Sequence, residues 1–235
     1  MGLADLHLHT IYSYDGTASV PAVLTQARKI GLDVIAITDH DEIAGSLKAL
    51  SLAPRYGVEV IPGIEITTSE GDLLALNITE KVERNMPLVE TVLKVGDLGG
   101  FCIAPHPMAD GIGMKSLSAY SILKALRNMA VAKILIGIET YNATTIDKMS
   151  NHYACILAEH LDMTQLGNSD AHIPEAIGLG VTEFPGSTRS ELVKAIQNRM
   201  TTIRKKQEWT SVRILGSWAA RYVGSAFARL AMAAQ

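Results

Sequence analysis

The stretch that decides the fold runs from residue 3 to residue 41. It opens with Leu3-Ala4-Asp5-Leu6-His7-Leu8-His9 and closes with Val34-Ile35-Ala36-Ile37-Thr38-Asp39-His40-Asp41. Between them Val20, Val23, Leu24, Ala27 and Ile30 recur every three to four residues, with Ser19 placed to cap, Pro21 in the first turn and Gly31 at the end. The outer runs read as strands and the middle one as a helix. Strand, helix and strand in succession are the repeating unit of an α/β fold with a largely parallel sheet.

Working outward, the alternation continues. Further strands are expected at Val58–Ile66, Leu73–Ile78, Phe101–Ala104, Ile134–Thr140, Thr164–Gly167 and Thr201–Arg204, and further helices at Ile43–Ala53, Leu88–Leu98, Tyr120–Met129, Ile146–His160 and Glu191–Met200. About seven such units favour a closed barrel over an open sheet. No repeat, low-complexity tract or Pro/Gly linker divides the chain, so one barrel is expected over 1–205, followed by a tail at 206–235.

Composition agrees with that size of core. The chain has 235 residues, of which 48% are hydrophobic and 19% charged, which excludes disorder as its main state. No apolar run approaches the roughly 18 to 20 residues that cross a bilayer, and no signal segment opens the chain, so a soluble cytoplasmic protein is expected. The two cysteines, Cys102 and Cys155, are far apart and form no CxxC pair. A disulfide framework and a thiolate zinc site are thereby excluded, and any metal must be held by nitrogen and oxygen.

The net charge of −3 is unevenly spread. From Arg199 onward seven basic residues face one acid, Glu208, which leaves 14 basic and 23 acidic residues in 1–198, a charge of −9. An acidic body suits cations and argues against long nucleic acid.

Polar residues recur where the apolar runs end. His7 and His9, two apart on one strand, leave the same face and converge. Asp15 follows in a loop; Thr38 runs into Asp39-His40-Asp41; Gly63-Ile64 into Glu65; Ala104-Pro105 into His106; Ile138 into Glu139; and Leu166 into Asn168-Ser169-Asp170-Ala171-His172. Five of the seven histidines thus sit at strand ends, where a parallel barrel opens its active face. His152 and His160 fall in a helical pattern and read as surface residues.

Five blocks in order, Asp5-Leu6-His7-Leu8-His9-Thr10, Thr38-Asp39-His40-Asp41, Pro62-Gly63-Ile64-Glu65, Pro105-His106-Pro107 and Ser169-Asp170-Ala171-His172, resemble the PHP (polymerase and histidinol phosphatase) superfamily of metal-dependent phosphoesterases. The resemblance implies a distorted (β/α)7 barrel with two or three divalent metals, Mn, Zn or Fe, with Mg as a further option. Block by block, His7, His9, Glu65 and Asp170 would hold one metal, Glu65 and His106 a second, with Glu65 bridging, and Asp15, His40 and His172 a third. The chain departs from the family at Asp72, where a histidine is usual; a carboxylate there makes the second site harder, unless Asp72 is only a turn residue. Glu139 and Asn142 also resemble a family segment, with metal, substrate and a neighbouring histidine all open as the partner of Glu139. Asp39 and Asp41 are expected to orient His40 or cap the next helix, and Lys115 is a candidate phosphate contact.

The resemblance implies hydrolysis of a phosphoester by a metal-bridging hydroxide, with Glu65, His40, His172 and Asp170 as the candidate catalytic residues. No GxxxxGK[ST] loop or GxSxG elbow points to an NTPase or a serine hydrolase. A small phosphomonoester of nucleotide, nucleoside bisphosphate or sugar-phosphate type is the expected substrate. The short span between His106 and Glu139 holds no large lid, so an open site is expected. An exonuclease on short RNA or DNA, an amidohydrolase-like C–N hydrolase and a non-catalytic metal-binding scaffold are the alternatives. In the tail, Trp209, Val212, Leu215, Trp218, Ala219, Tyr222, Val223 and Ala226 share a helical face, with Arg213, Arg221 and Arg229 elsewhere. Such a basic amphipathic helix is expected to pack on the barrel, or on a partner, another copy or a membrane surface.

Overall fold

The opening unit forms β1 (Gly2–Asp5), α1 (Val20–Ile30) and β2 (Val34–Ile35), with the two strands parallel. Ser19 accepts a hydrogen bond from the Ala22 amide, and Gly31 closes the helix at φ 78°, a conformation open to glycine. The structure is a computed structural model that describes residues 1–109, 114–205 and 209–233. The expected boundary at 205/206 abuts residues 206–208, which lie outside the described residues.

The chain continues through α2 (Ala44–Tyr56), β3 (Glu59–Val60), β4 (Gly63–Thr67), β5 (Asp72–Leu76), α3 (Leu88–Asp97), β6 (Phe101–Ala104), α4 (Ala119–Leu126) and α5 (Met129–Ala132). It ends with β7 (Leu135–Asn142), α6 (Lys148–His160), β8 (Thr164–Asn168), β9 (Gly180–Phe184), α7 (Arg189–Gln197), β10 (Thr202–Lys205) and α8 (Ser211–Ala233). The strands make two sheets, ordered β10-β9-β1-β2-β3 and β4-β5-β6-β7-β8. Parallel bridges, Leu8 to Ala171 and His40 to Glu65, stitch the sheets together at both seams. The amides of His9 and Asp41 donate across these seams to the carbonyls of Ala171 and Glu65, at 3.0 and 2.8 Å. The result is a distorted α/β barrel. One buried cluster draws Val34 from the first sheet, Leu74, Ile103 and Leu166 from the second, and Leu192 and Ile196 from α7.

Four local expectations are corrected. The run Val58–Ile66 divides at Pro62, which has no amide proton for a ladder; there the chain leaves β3, paired with β2, and enters β4, paired with β5. The sheet is mixed rather than largely parallel, because β5 is antiparallel to β4 and β6, and β9 to β1. β9 was not expected, since burial of almost its whole length removes the alternation that marks a strand. Tyr120–Met129 divides where Asn128 caps α5 by accepting from the amides of Ala130 and Val131.

The tail is also turned relative to its expected face. α8 packs on the barrel with Trp209 buried and Ile214 and Trp218 against the core, whereas Val212 and Val223 are 82% and 69% exposed. Hydrogen bonds decide the rotation. Trp218 Nε1 donates to the Asp15 carbonyl at 2.9 Å, and Arg229 Nη1 to the Gly16 carbonyl at 2.6 Å, so polar residues occupy part of the packed face. Among the described residues no helix is long and apolar enough to cross a membrane.

Candidate metal centre

The nine expected ligands gather at one end of the barrel. His7 and His9 follow β1, Asp15 lies in the next loop, His40 follows β2, Glu65 lies within β4, His106 follows β6, and Asp170 and His172 follow β8. Asp72 opens β5, and because β5 runs antiparallel its first residue arrives at the end where the parallel strands finish. His152 and His160 are exposed on α6, away from this group.

Glu65 is the hub. Its Oε2 lies 3.1 Å from His7 Nε2, 3.3 Å from His9 Nε2 and 3.3 Å from His40 Nδ1, while its Oε1 lies 3.2 Å from His106 Nε2. Asp170 Oδ1 is 3.1 Å from His9 Nε2 and 3.4 Å from His7 Nε2; Asp15 Oδ2 is 3.0 Å from His172 Nε2 and 3.4 Å from His40 Nε2. Four sets of donor atoms each lie within 4.8 Å of one another: His9, Asp15, His40 and His172; His7, Glu65 and His106; His7, His9 and Asp170; and His40, Glu65 and Asp72. Two details differ from the assignment implied by the resemblance. His9 joins the Asp15 set, and Asp72 clusters with His40 rather than with His106.

The donor chemistry fits cations. His7 Nδ1 donates to Glu139 Oε1 at 3.1 Å, and His172 Nδ1 to the Asp170 carbonyl at 3.0 Å, so each ring's Nε2 lone pair faces a carboxylate. At about 3 Å such a contact is attractive when a proton or a metal cation lies between the two atoms. Among the described residues neither ring nitrogen of His9 makes a hydrogen bond, its Nε2 only facing the Glu65 and Asp170 oxygens, and neither does the buried Oδ1 of Asp72. Burial works to depress the His7 imidazole, but Asp170, Glu65 and Glu139 hold it well above the usual range. Burial likewise works to raise Glu65 and Asp170, yet the surrounding imidazoles hold both well below the carboxylate range. Asp72 is pushed up to about 6 by burial and by the charge of Glu65. Burial beside a second carboxylate disfavours the charged form, and a cation held by His40, Glu65 and Asp72 would offset that cost.

A second layer of polar residues fixes the ligands. Glu139 is fully buried and accepts four hydrogen bonds: from His7 Nδ1 and Asn168 Nδ2 on Oε1, and from the His106 amide and Asn142 Nδ2 on Oε2. It therefore positions two candidate ligands, His7 and His106, with all four of its contacts made to nitrogen donors. Asn142 Nδ2 also donates to Asp170 Oδ2 at 3.0 Å. Asp39 does not orient His40: it accepts from the amide and hydroxyl of Thr10, at 2.6 and 2.7 Å, and so pins the residue after His9. Gly45 is required beside it, since a Cβ there would come within 2.2 Å of Asp39 Oδ2. Asp41 accepts from the Thr67 amide at the end of β4. Neither aspartate caps α2, whose first amides are met by Glu42 instead. Lys115 is exposed and does not line the cavity over the cluster; its carbonyl accepts from the Asp72 amide.

Sequence reasoning missed Asp5, Asn168 and Ser116. Asp5 accepts from the amide and hydroxyl of Ser169 and from the Gly178 amide, clamping β1 to the loop that carries Asp170 and His172. Its position two residues before His7 was the available signal. Asn168 accepts from the Leu6 amide while donating to Glu139, and Ser116 Oγ lies 3.0 Å from His106 Nδ1.

Residues 5–94 match the PHP domain family model, and 148–201 match that of the PHP-associated region. An uncharacterized protein of Methanocaldococcus jannaschii is 35% identical over 161 residues, which are 64% of this chain and 88% of that one. The chain belongs to the PHP family. The phosphoribosyl 1,2-cyclic phosphate 1,2-diphosphodiesterase of Eggerthella lenta is 42% identical over 65 residues, 28% of this chain and 24% of that one. Among solved structures, a two-domain Bacteroides vulgatus protein containing a predicted PHP-like metal-dependent phosphoesterase superposes with a TM-score of 0.70 at 20% identity. It aligns with 86% of this chain, which spans 64% of that longer one, and the likeness is one of fold. The PHP architecture explains why the candidate ligands, spread from His7 to His172, share one end of the barrel.

Proposed function

We propose that this chain is a metal-dependent phosphoesterase acting on small phosphomonoesters, with His7, His9, Asp15, His40, Glu65, Asp72, His106, Asp170 and His172 holding two or three divalent cations. The observation that carries the reading is Glu65, whose two oxygens face four imidazole nitrogens within 3.3 Å at full burial. Divalent cations in such a site supply Lewis acidity, lowering the pKa of a bound water toward neutrality and neutralising phosphate oxygens. The chain's own residues set where that happens. Glu139 and the Asp170 carbonyl fix the imidazole tautomers, and Asp5 and Asp39 lock the ligand-bearing ends of the strands.

The acidic body and a cavity without lysine or arginine among its described lining residues support a small substrate over a long nucleic acid. The name of the Eggerthella protein, 42% identical over 65 residues, supports phosphoester chemistry. The test is phosphate release from a panel of phosphomonoesters by protein stripped with a chelator and then reloaded with Mn²⁺. Release that appears only on reloading is expected. Release that survives loss of both His7 and Glu65 sinks the reading.

A further inference from the structure

The metal donors account for only part of the cavity that lies over them, a space of about 360 Å³. Much of the remaining lining is apolar: Ile146 and Ile173 from barrel loops, Trp209 just before α8, and Ile214, Leu215 and Trp218 from its first turns. Among the described residues no lysine or arginine lines it, and its carboxylates and imidazoles belong to the donor cluster. The wall is tied to the site, because Trp218 donates to the carbonyl of Asp15, itself one of the donors. From outside the barrel, the C-terminal helix adds Ile214, Leu215 and Trp218 to a wall that Met114, from the His106–Glu139 span, also lines.

A phosphomonoester with its phosphate on the donor cluster would have to place its alcohol portion against this wall. A second phosphate or a carboxylate on that portion would be desolvated beside indole and aliphatic side chains, with no lysine or arginine among the described lining residues to pair with, Arg213 being stacked on the Trp209 ring. An apolar group there would instead be removed from water. We infer that α8 builds a leaving-group subsite, and that the substrate is a phosphomonoester of an uncharged, apolar alcohol rather than a nucleoside bisphosphate. The inference rests on the phosphoesterase reading for what the phosphate does; the choice of alcohol comes from the wall.

Trp209 and Trp218 are the two tryptophans of the chain, and both line the cavity, so their emission reports on its occupancy. The full-length, Mn²⁺-loaded protein is titrated with n-alkylphosphonates from ethyl to hexyl, which have no ester bond to cleave. Kd is expected to fall up to about fourfold per methylene, levelling when the wall is covered. Butane-1,4-bisphosphonate should bind more weakly than butylphosphonate. Leu215→Ser is expected to flatten the chain-length dependence, while Val223→Ser, on the solvent side of the same helix, leaves it intact. A Kd independent of chain length, tighter binding of the bisphosphonate, or an unchanged slope in Leu215→Ser overturns the subsite. A chain-length slope without phosphate release from any alkyl phosphate would leave the subsite standing and remove the phosphoesterase reading. Release from alkyl phosphates with no length dependence in binding would do the reverse.

Discussion

Replacing Glu139 by glutamine tests whether the site is held from behind as the structure implies. Glu139 receives four donors, two on each oxygen, at 2.8 to 3.1 Å, and is wholly buried. A glutamine amide offers one oxygen and one NH₂, so in either orientation two of the four donors meet another donor. Hydrogen bonds to a charged group are worth about 1.5–3 kcal/mol each, so the loss is about 3–6 kcal/mol, less the relief of no longer burying a charge. A net cost of about 3–5 kcal/mol is the scale for breaking a buried ion pair. For a chain of this size that lowers the melting temperature by about 6–20 °C. Because His7 also loses the group that fixes its tautomer, metal affinity should fall about 10- to 100-fold. Scanning calorimetry of the metal-free protein and competition with a chromophoric chelator measure the two quantities separately. A variant melting within 2 °C of the parent, with its metal affinity unchanged, would show that the four contacts do not hold His7 and His106 in place.

Three further outcomes follow from the same geometry. His7 and His106 are buried and His172 is partly buried, which works to depress their pKa, but neighbouring carboxylates hold them above the usual imidazole range; protons then compete with metal as pH falls, beginning above about 6.5, and metal retention after dialysis across a pH series should decline on the acid side. A flat retention profile down to pH 5 would contradict this. Asp72→His exchanges an oxygen donor for imidazole and should move metal preference from Mn²⁺ or Mg²⁺ toward Zn²⁺, read by elemental analysis after loading from an equimolar mixture; an unchanged metal count and preference means Asp72 is not a ligand. Trp209→Ala removes a buried indole at a cost of about 3–5 kcal/mol, enough to free α8 from the barrel, so limited proteolysis should cut the helix first while the barrel persists. A cleavage pattern identical to the parent would show that the helix is held by other contacts.

The amino-acid sequence by itself determined the repeating strand–helix units, the cap and stop of α1, and the placing of His, Asp and Glu residues at strand ends. These are carried by period, by local turn chemistry and by residue type, all of which act over a few neighbours in the chain. The His-x-His pair shows how far this reaches: spacing put both imidazoles on one face, and their ring centroids lie 5.1 Å apart. It could not show that Glu139, 132 residues away, holds the first of them, or that Asp5 is clamped to Ser169 across 164 residues. Nor could it show that Pro62 is a corner between sheets and that β5 runs backward, which is what delivers Asp72 to the site. The tail is the clearest case. Hydropathy alone placed Trp209 and Trp218 on the packed side but also Val212 and Val223, which are exposed, while Trp218 and Arg229 donate hydrogen bonds to the carbonyls of Asp15 and Gly16. Buried polar groups must find partners wherever the fold places them, and those partners, distant in the chain, exist only once the barrel has closed.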